Sequence, residues 1–171
     1  MRIEMEFIPV DLKQQLERCL AFRKDAYAVS YGHLEGFDPK ETNAWFERLA
    51  DNETAGFFHV VIEDELVGQL EFKGDLDDEN GERFGYINLV YLTAPYRNQG
   101  LGKLLLAYIF ENFHRHGCRY ALLRYAPANI PARTFYRKHG WLDVGAPNAR
   151  GQLARKTLVN DMTVERGDDK G

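Results

Sequence analysis

Residues 83–113 join a nearly unbroken apolar strand to an amphipathic helix through a short loop that contains two glycines. The strand, RFGYINLVYLT over residues 83–93, lacks the polar alternation of a half-exposed strand, so we expect a central strand covered on both faces. The helix after it is predicted to begin near Gln99 and to run to His116, where a glycine stops it. A buried strand that leads into a crossover helix indicates a sheet with flanking helices.

The other apolar patterns predict six further strands and three further helices. Asp11 and Asp38 are expected to cap two helices, with Gln14 three residues after Asp11 and Pro39 directly after Asp38. This order of hairpins and crossovers predicts an α/β (α+β) fold with a mixed sheet of about seven strands and about four helices. The predicted strands are 2–8, 57–62, 66–72, 83–93, 118–126, 141–144 and 155–165, the helices 10–29, 38–51, 99–116 and 129–140, and an acidic loop 75–82.

The composition is that of a globular protein, with 171 residues, 44% of them apolar, and a net charge of -4. We expect one domain over residues 1–166 and a disordered tail over 167–171. The negative charge gives no general attraction to nucleic acid or anionic membranes, and no apolar run approaches the roughly 20 residues of a membrane span. Cys19 and Cys118 lie in apolar patterns and are predicted to be buried free thiols, which favours a cytoplasmic location.

Gly100 and Gly102 stand at the predicted start of a helix, where backbone N–H groups are unpaired and the helix dipole is positive. Glycines there let an anion approach the backbone, so the loop is predicted to cradle a phosphate. The alternative is that both glycines only allow the helix to pack closely on the strand. The loop lacks the spacing of a P-loop and the third glycine of a dinucleotide fingerprint, which disfavours ATP, GTP and NAD.

Two segments, residues 97–102 and residues 129–141, together resemble the GNAT superfamily of acetyl-CoA-dependent N-acetyltransferases. The family signature is Arg or Gln, two residues, Gly, one residue, and Gly or Ala, and residues 97–102 read RNQGLG. Downstream, NIPARTFYRKHGW over residues 129–141 is similar to a second family segment that closes a short helix. The resemblance covers residues 86–142, about a third of the chain. The matching positions of the second segment are Asn129, Ala132, Tyr136, Gly140 and Trp141.

The resemblance implies a mostly antiparallel sheet, splayed beside the fourth strand, with acetyl-CoA as the co-substrate and no metal. The pantetheine arm would pair with exposed backbone of the fourth strand, where an N–H group would also stabilise an oxyanion. The diphosphate would sit on the amides of residues 99–102, with Arg97 nearby. The positions implied to bind acetyl-CoA are Val90, Tyr91, Leu92, Arg97, Asn98, Gln99, Gly100, Leu101, Gly102, Lys103 and Asn129.

By the resemblance, Tyr136 is at the family's general-acid position. A phenol suits this role because it can give a proton or a hydrogen bond to the leaving thiolate. Its alternative role is that of a half-buried core aromatic. Asn129 would orient the cofactor arm, and it is also a suitable helix N-cap, two roles that are compatible.

The acceptor amine must lose a proton before it attacks. An alkylamine with a pKa near 10.4 is neutral only about once in 2,500 molecules at pH 7, which costs roughly 4.6 kcal/mol. Glu71, on the third predicted strand, is the candidate base, and its alternative is a solvent-facing strand residue. Five residues at the end of the first predicted helix and in the loop before the second could line the acceptor side: Tyr27, Tyr31, His33, Glu35 and Phe37.

These observations predict an N-acetyltransferase that transfers the acetyl group of acetyl-CoA to a primary amine of a small molecule. A protein or peptide acceptor is one alternative, and a CoA-binding sensor without turnover is another. The presence of Tyr136 weighs against the sensor, since a protein without turnover needs no phenol there. A homodimer is expected only by analogy with the family.

Overall fold

The computed structural model describes residues 4–158, which form one seven-stranded sheet and four α-helices. The strands are β1 (Met5–Pro9), β2 (Ala55–Ile62), β3 (Glu65–Asp77), β4 (Arg83–Leu92), β5 (Tyr120–Tyr125), β6 (Leu142–Asn148) and β7 (Gly151–Thr157). The helices are α1 (Leu12–Tyr31), α2 (Pro39–Asp51), α3 (Leu101–Arg115) and α4 (Ile130–Lys138). The predicted order of elements is confirmed.

The strands lie in the order β1-β2-β3-β4-β5-β7-β6. Every neighbouring pair is antiparallel except β4 and β5, which are parallel and connected by α3. The expectation of a mixed, mostly antiparallel sheet of seven strands is therefore confirmed. The one parallel pair needs a crossover helix, and this explains why the glycine loop and α3 follow directly after β4.

Helices cover both faces of the sheet. Adjacent residues of one strand point to opposite faces and therefore contact different helices. Phe57 of β2 stacks on Phe46 of α2, whereas its neighbour Phe58 packs edge-on against Tyr108 of α3. The larger core lies under α3 and the smaller one under α1 and α2. The smaller core also contains Cys19, which is a buried free thiol as predicted.

The two predicted helix caps differ in the structure. Asp38 accepts hydrogen bonds from the amides of Lys40 and Glu41, so the cap of α2 is confirmed. The Asp11 side chain makes no capping bond. Instead its backbone N–H donates to Oε1 of Gln15, not of Gln14, because α1 begins one residue after Asp11 and the Gln15 side chain reaches back over that turn.

Several predicted boundaries shift. β3 continues through Asp77 by pairing with β4, so the first residues of the predicted acidic loop are part of a strand. The helix predicted from Gln99 begins at Leu101. The strand predicted over 155–165 is Gly151–Thr157, because it pairs with β5 from its first residues. Residues 159–165 and the predicted tail 167–171 lie outside the described residues. No helix within 4–158 is long and apolar enough to cross a bilayer.

Candidate active site

β4 and β5 pair over only four residues and then separate. Their parallel register runs from Phe84 opposite Tyr120 to Ile87 opposite Leu123 and ends there. Beyond it, β4 continues to Leu92 along β3, while β5 continues along β7. The two strands part in the middle of the sheet, at the fourth strand, as the family resemblance implied.

The edge of β4 that faces this opening offers backbone groups from alternate residues. The Tyr91 carbonyl lies against Gly68 of β3, and the Thr93 amide donates to the Val67 carbonyl at 2.8 Å, so these two residues use their backbone toward β3. By alternation, Val90 and Leu92 direct their N–H and C=O groups toward the opening. Of the three expected pantetheine partners, the structure therefore assigns Val90 and Leu92 to the exposed edge and turns the Tyr91 backbone away.

Asn88 lies where the opening begins. Ile87 pairs with Phe72 and Leu89 with Glu71, so Asn88 is the additional residue of a β-bulge. Its side-chain Oδ1 is buried and has no hydrogen-bond partner within residues 4–158. A buried acceptor without a partner is rare in folded proteins, so Asn88 is a candidate to accept a hydrogen bond from a bound molecule. The sequence pattern gave no signal for this residue, because a bulge depends on the register of the partner strand.

The loop between β4 and α3 curls so that its amides are free. Asn98 and Gly100 have φ angles of 61° and 81°, in the left-handed region. Outside the helices and strands, no backbone bond within residues 4–158 comes from the N–H groups of residues 98–100. The N–H groups of residues 101–103 lie in the first turn of α3, where a helix offers them no partner. Alternation of left-handed residues with free amides at a helix N-terminus forms a concave anion site.

The two glycines have different structural reasons. Gly100 is left-handed, and a Cβ there would meet no atom within 4 Å, so backbone conformation is what favours glycine. A Cβ on Gly102 would lie 3.2 Å from Cζ of Phe135 on α4. Close packing therefore also favours glycine at position 102, although the close neighbour is α4 and not the strand that the packing alternative assumed.

Arg97 and Gln99 bind the protein rather than projecting freely from the loop. The Arg97 Nε donates to the Leu92 carbonyl at 2.7 Å and its Nη2 to Oδ2 of Asp25 at 2.8 Å. Gln99 Nε2 donates to the Pro95 carbonyl at 2.6 Å. Lys103, in the first turn of α3, is exposed. The cradle is therefore made of backbone amides, and Lys103, which forms no ion pair within residues 4–158, lies in the adjoining first turn of α3.

Tyr136 lies on α4, on the β5 side of the opening. Asn129 caps that helix by accepting from the Ala132 amide at 3.2 Å, so its N-cap role is confirmed. The Tyr136 ring packs against three aromatic rings, and no hydrogen bond within residues 4–158 involves its hydroxyl. Burial raises the pKa of Tyr136 to about 12, so the phenol is neutral at physiological pH and free to donate. Those rings are Tyr125, Phe135 and Trp141.

Glu71 is fully buried, so the alternative of a solvent-facing residue is wrong. Its Oε1 accepts from Arg23 Nη2 and from Trp45 Nε1, both at 2.7 Å, and its Oε2 accepts from Gln69 Nε2 at 2.9 Å. Arg23 Nε lies 3.2 and 3.3 Å from the two oxygens. The carboxylate thus receives donors from α1, α2 and β3, which satisfies most of its lone pairs.

A chain of hydrogen-bonded polar side chains continues from Glu71 through Gln69 to His59 and Cys19. Gln69 Oε1 lies 3.0 Å from Nε2 of His59, which lies 3.5 Å from Sγ of Cys19. Because the Gln69 oxygen can only accept, His59 carries its proton on Nε2. Desolvation lowers the pKa of His59, which keeps it neutral. Sequence reasoning missed this chain, although Gln69 and Glu71, two residues apart in an apolar strand, indicated one polar face.

The residues predicted to line the acceptor side form an aromatic cluster. Tyr27 packs against Phe37 with ring centroids 5.6 Å apart and against Tyr31 at 4.7 Å. Its hydroxyl donates to the Glu35 carbonyl, and its ring lies 6.4 Å from His33. The structure therefore brings all five residues together where α1 turns toward α2.

Solved structures share this fold at low sequence identity. The PaiA N-acetyltransferase from Thermoplasma acidophilum, in complex with coenzyme A, has a TM-score of 0.71 at 17% identity, over 92% of this chain and 99% of that one. The aminoglycoside N-acetyltransferase AAC(6')-Iy, in complex with CoA, has 0.67 at 16%, over 86% and 94%. The NatC complex, bound to Gag peptide and CoA, has 0.64 at 18%, over 91% and 99%.

Comparison with curated proteins finds no match. The model of the acetyltransferase (GNAT) family matches residues 17–141, which include most of α1, the strands β4 and β5 that part, the amide cradle and the Tyr136 helix. The match spans well over half of the chain. The protein therefore belongs to the GNAT family of acetyltransferases and is an acyltransferase.

Proposed function

We propose that the protein is an N-acetyltransferase that transfers the acetyl group of acetyl-CoA to the primary amine of a small molecule. The observation that carries the proposal is the pairing of two backbone features: the free amides of residues 98–103 and the unpaired edge of β4 next to them. A diphosphate needs such a group of N–H donors, and a pantetheine arm, with its two amides, needs such a strand edge.

The residues present fit acetyl-CoA. The amides of Gln99, Gly100 and Leu101 would hold the diphosphate, with Asn98 shaping the turn and Lys103 adding positive charge. Val90 and Leu92 would pair with the arm through backbone groups, and the Tyr91 ring would support that edge from the other face. The buried Oδ1 of Asn88, which lacks a partner, would accept a hydrogen bond from the bound substrates. Asn129 would contribute by fixing the start of α4.

The chemistry requires a new C–N bond, cleavage of the C–S bond and transfer of one proton from nitrogen to sulfur. A β4 amide at the opening would stabilise the developing oxyanion. Tyr136 would donate its hydrogen bond to the departing sulfur. With a pKa of about 12, this phenol is a weak acid, and complete transfer to a thiolate of pKa near 8.5 is uphill by roughly 5 kcal/mol. Tyr136 would therefore act best if its hydroxyl proton moved to the sulfur while the proton lost by the amine moved to the Tyr136 oxygen.

Glu71 is proposed to act on the acceptor side by fixed negative charge and by holding Arg23 and Trp45. As a base it would have to release one of its bound donors, because these occupy its lone pairs. The amine then loses its proton through water, and kcat/KM should rise with pH as the neutral fraction of the acceptor rises.

A small acceptor is favoured by the closure of the α1–α2 connection. The Tyr27 hydroxyl donates to the Glu35 carbonyl and Phe37 packs on Tyr27, so this segment folds back on α1. A peptide acceptor is the second candidate, supported by the likeness to the NatC complex. A homodimer stays a prediction.

A screen of amines and peptides with detection of free thiol tests the proposal. Burial raises the pKa of Cys19 to about 12 and that of Cys118 to about 11, so the protein's own thiols should react slowly with a thiol reagent. Thiol release with a small amine supports the proposal, and release with peptides alone favours the second candidate. Binding of CoA without release from any acceptor would favour the sensor and overturn the proposal.

A further inference from the structure

A single carboxylate links α1 to the cofactor loop and to the end of β4. Oδ2 of Asp25 accepts hydrogen bonds from the Tyr91 hydroxyl and from Arg97 Nη2. The Arg97 guanidinium also donates through Nε to the Leu92 carbonyl and lies 5.5 Å from the centroid of the Tyr91 ring. At this oxygen atom α1 therefore meets two residues that are 66 and 72 positions later in the sequence, at the end of β4 and in the loop after it.

The contact differs from an ordinary surface ion pair, which contributes little. Although the Asp25 and Arg97 side chains are partly exposed, Tyr91 is only 6% exposed and its hydroxyl has Asp25 as its acceptor. Burial, and then the Asp25 carboxylate, raise the pKa of Tyr91, which keeps its hydroxyl a donor. Asp25 thus holds Arg97 in one geometry across the end of β4.

That geometry affects the cofactor site directly. Arg97 occupies the Leu92 carbonyl, so the exposed edge of β4 offers the Val90 groups and the Leu92 amide only. It also fixes the residue that precedes the left-handed Asn98, where the amide cradle begins. Two residues earlier on the same helix, Arg23 holds Glu71, so α1 is attached to both sides of the proposed site.

We propose that Asp25 is a positioning residue that fixes Arg97 and thereby sets the affinity of the amide cradle for acetyl-CoA. The inference rests on the proposed function. Asp25 itself touches no substrate. Its effect passes through Arg97 and, to a smaller extent, through Tyr91, so it should alter cofactor binding and leave the chemical step and the acceptor site nearly unchanged.

The test compares Asp25→Asn with the parent protein by calorimetry with CoA and by steady-state kinetics. We expect the Kd for CoA and the KM for acetyl-CoA to rise about tenfold, the size of a lost charge-assisted hydrogen bond. The kcat and the KM for the amine should change less than about twofold. Glu17→Gln, an exposed carboxylate on the same helix, is the matched control and should change none of these values.

A second pair of variants shows whether the effect passes through Arg97. If it does, Asp25→Asn should have little further effect on the Kd in an Arg97→Gln background, as the two changes share one interaction. Tyr91→Phe should weaken CoA binding about twofold with an unchanged Tm. Equal losses from Asp25→Asn in both backgrounds, or an unchanged Kd in the parent background, would overturn the inference. Parent protein that does not bind CoA would overturn the proposed function as well.

Discussion

The cofactor half and the acceptor half of the proposed site are built from different kinds of groups. The cofactor half consists of the β4 edge 88–92, the loop 97–102 and α4 with Tyr136, and its binding groups are mainly backbone amides. The acceptor half consists of α1, α2 and the face of β3 that carries Glu71. Its polar groups are side chains that bond one another.

The difference has a physical cause. A diphosphate and a pantetheine arm can be bound by N–H and C=O groups that every residue has, provided that the chain turns correctly. Selection of one amine needs charged and polar side chains, and buried ones must be held by partners. A backbone site should therefore fail when space or charge changes, and a side-chain site when a partner is lost.

The largest effect is expected from Gly102→Glu. A Cβ at this position already lies 3.2 Å from Phe135, and the carboxylate would enter the cradle that is proposed to hold an anion. Binding of CoA, measured by calorimetry, should weaken by about 100-fold or more. Such a loss would indicate that the loop binds CoA through its backbone, because the variant removes no side chain of the cradle.

Leu104→Glu is the matched control for that variant. It adds the same charge two residues later in α3, where the parent side chain is 49% exposed. We expect its CoA affinity to stay within about threefold of the parent. Gly102→Ala separates space from charge, and should push Phe135 by a few tenths of an ångström. Retained binding in Gly102→Glu would remove the loop from the cofactor site.

Tyr136→Phe should have the next largest effect, and it acts on the rate rather than on binding. The ring contacts with Tyr125, Phe135 and Trp141 remain, whereas the hydroxyl that donates to the sulfur is lost. We expect kcat to fall about 100-fold or more, with the KM for acetyl-CoA within about twofold.

Tyr108→Phe provides the control, because Tyr108 is a half-buried tyrosine of α3 that stacks on Phe7 of the edge strand β1, away from the opening. Its kcat should equal that of the parent. If both variants lose activity to the same extent, packing rather than the proton explains the loss. If neither does, Tyr136 has no part in the chemical step.

The cofactor half and the acceptor half also differ in how much of each can be predicted from the sequence. The loop of the proposed cofactor site could be predicted because its two glycines are only one residue apart, and the structure gives Gly100 the left-handed conformation that favours glycine. The Asp38 cap was predictable for a similar reason, since its partners are two and three residues away. Local sequence determines such features.

The contacts of the acceptor half could not be predicted, because they join distant segments. Arg23 and Glu71 are 48 residues apart, and nothing in a run of residues shows which cation a carboxylate will meet. The β7 boundary failed for a related reason, as a strand begins where a partner pairs with it. Asn88 is a bulge only because β3 has one residue fewer at that point.

Glu71→Gln tests whether side-chain partners define the acceptor half. Loss of one member of a buried ion pair costs about 3–5 kcal/mol, but Arg23 is 28% exposed and can turn toward solvent, so we expect the free energy of unfolding to fall by about 2 kcal/mol. Urea titration measures this. If Glu71 is not the base, the rise of kcat/KM with pH should keep its slope.

The double variant Arg23→Met with Glu71→Gln removes both charges and should recover part of the lost stability. A further loss in the double variant would mean that the pair is not the unit that matters. A flattened pH profile in Glu71→Gln, with its stability retained, would restore Glu71 as the base and would make the acceptor half catalytic rather than supporting.

The smallest effect is expected from the lower end of the same polar chain. Desolvation lowers the pKa of His59 in the folded protein, so between that value and 6.5 the unfolded state binds the extra proton. Stability that is present above pH 6.5 should therefore decline as the pH falls, by at most about 1.4 kcal/mol per pH unit. Urea titrations at pH 7.5 and 5.5 measure the change.

His59→Gln, which keeps a donor for Gln69, should reduce this pH dependence of stability, whereas His114→Gln on the exposed face of α3 should not. An unchanged pH dependence in His59→Gln would mean that another group causes the loss of stability in acid. The contacts around Glu71 would then be the part of the acceptor half that stabilises the fold.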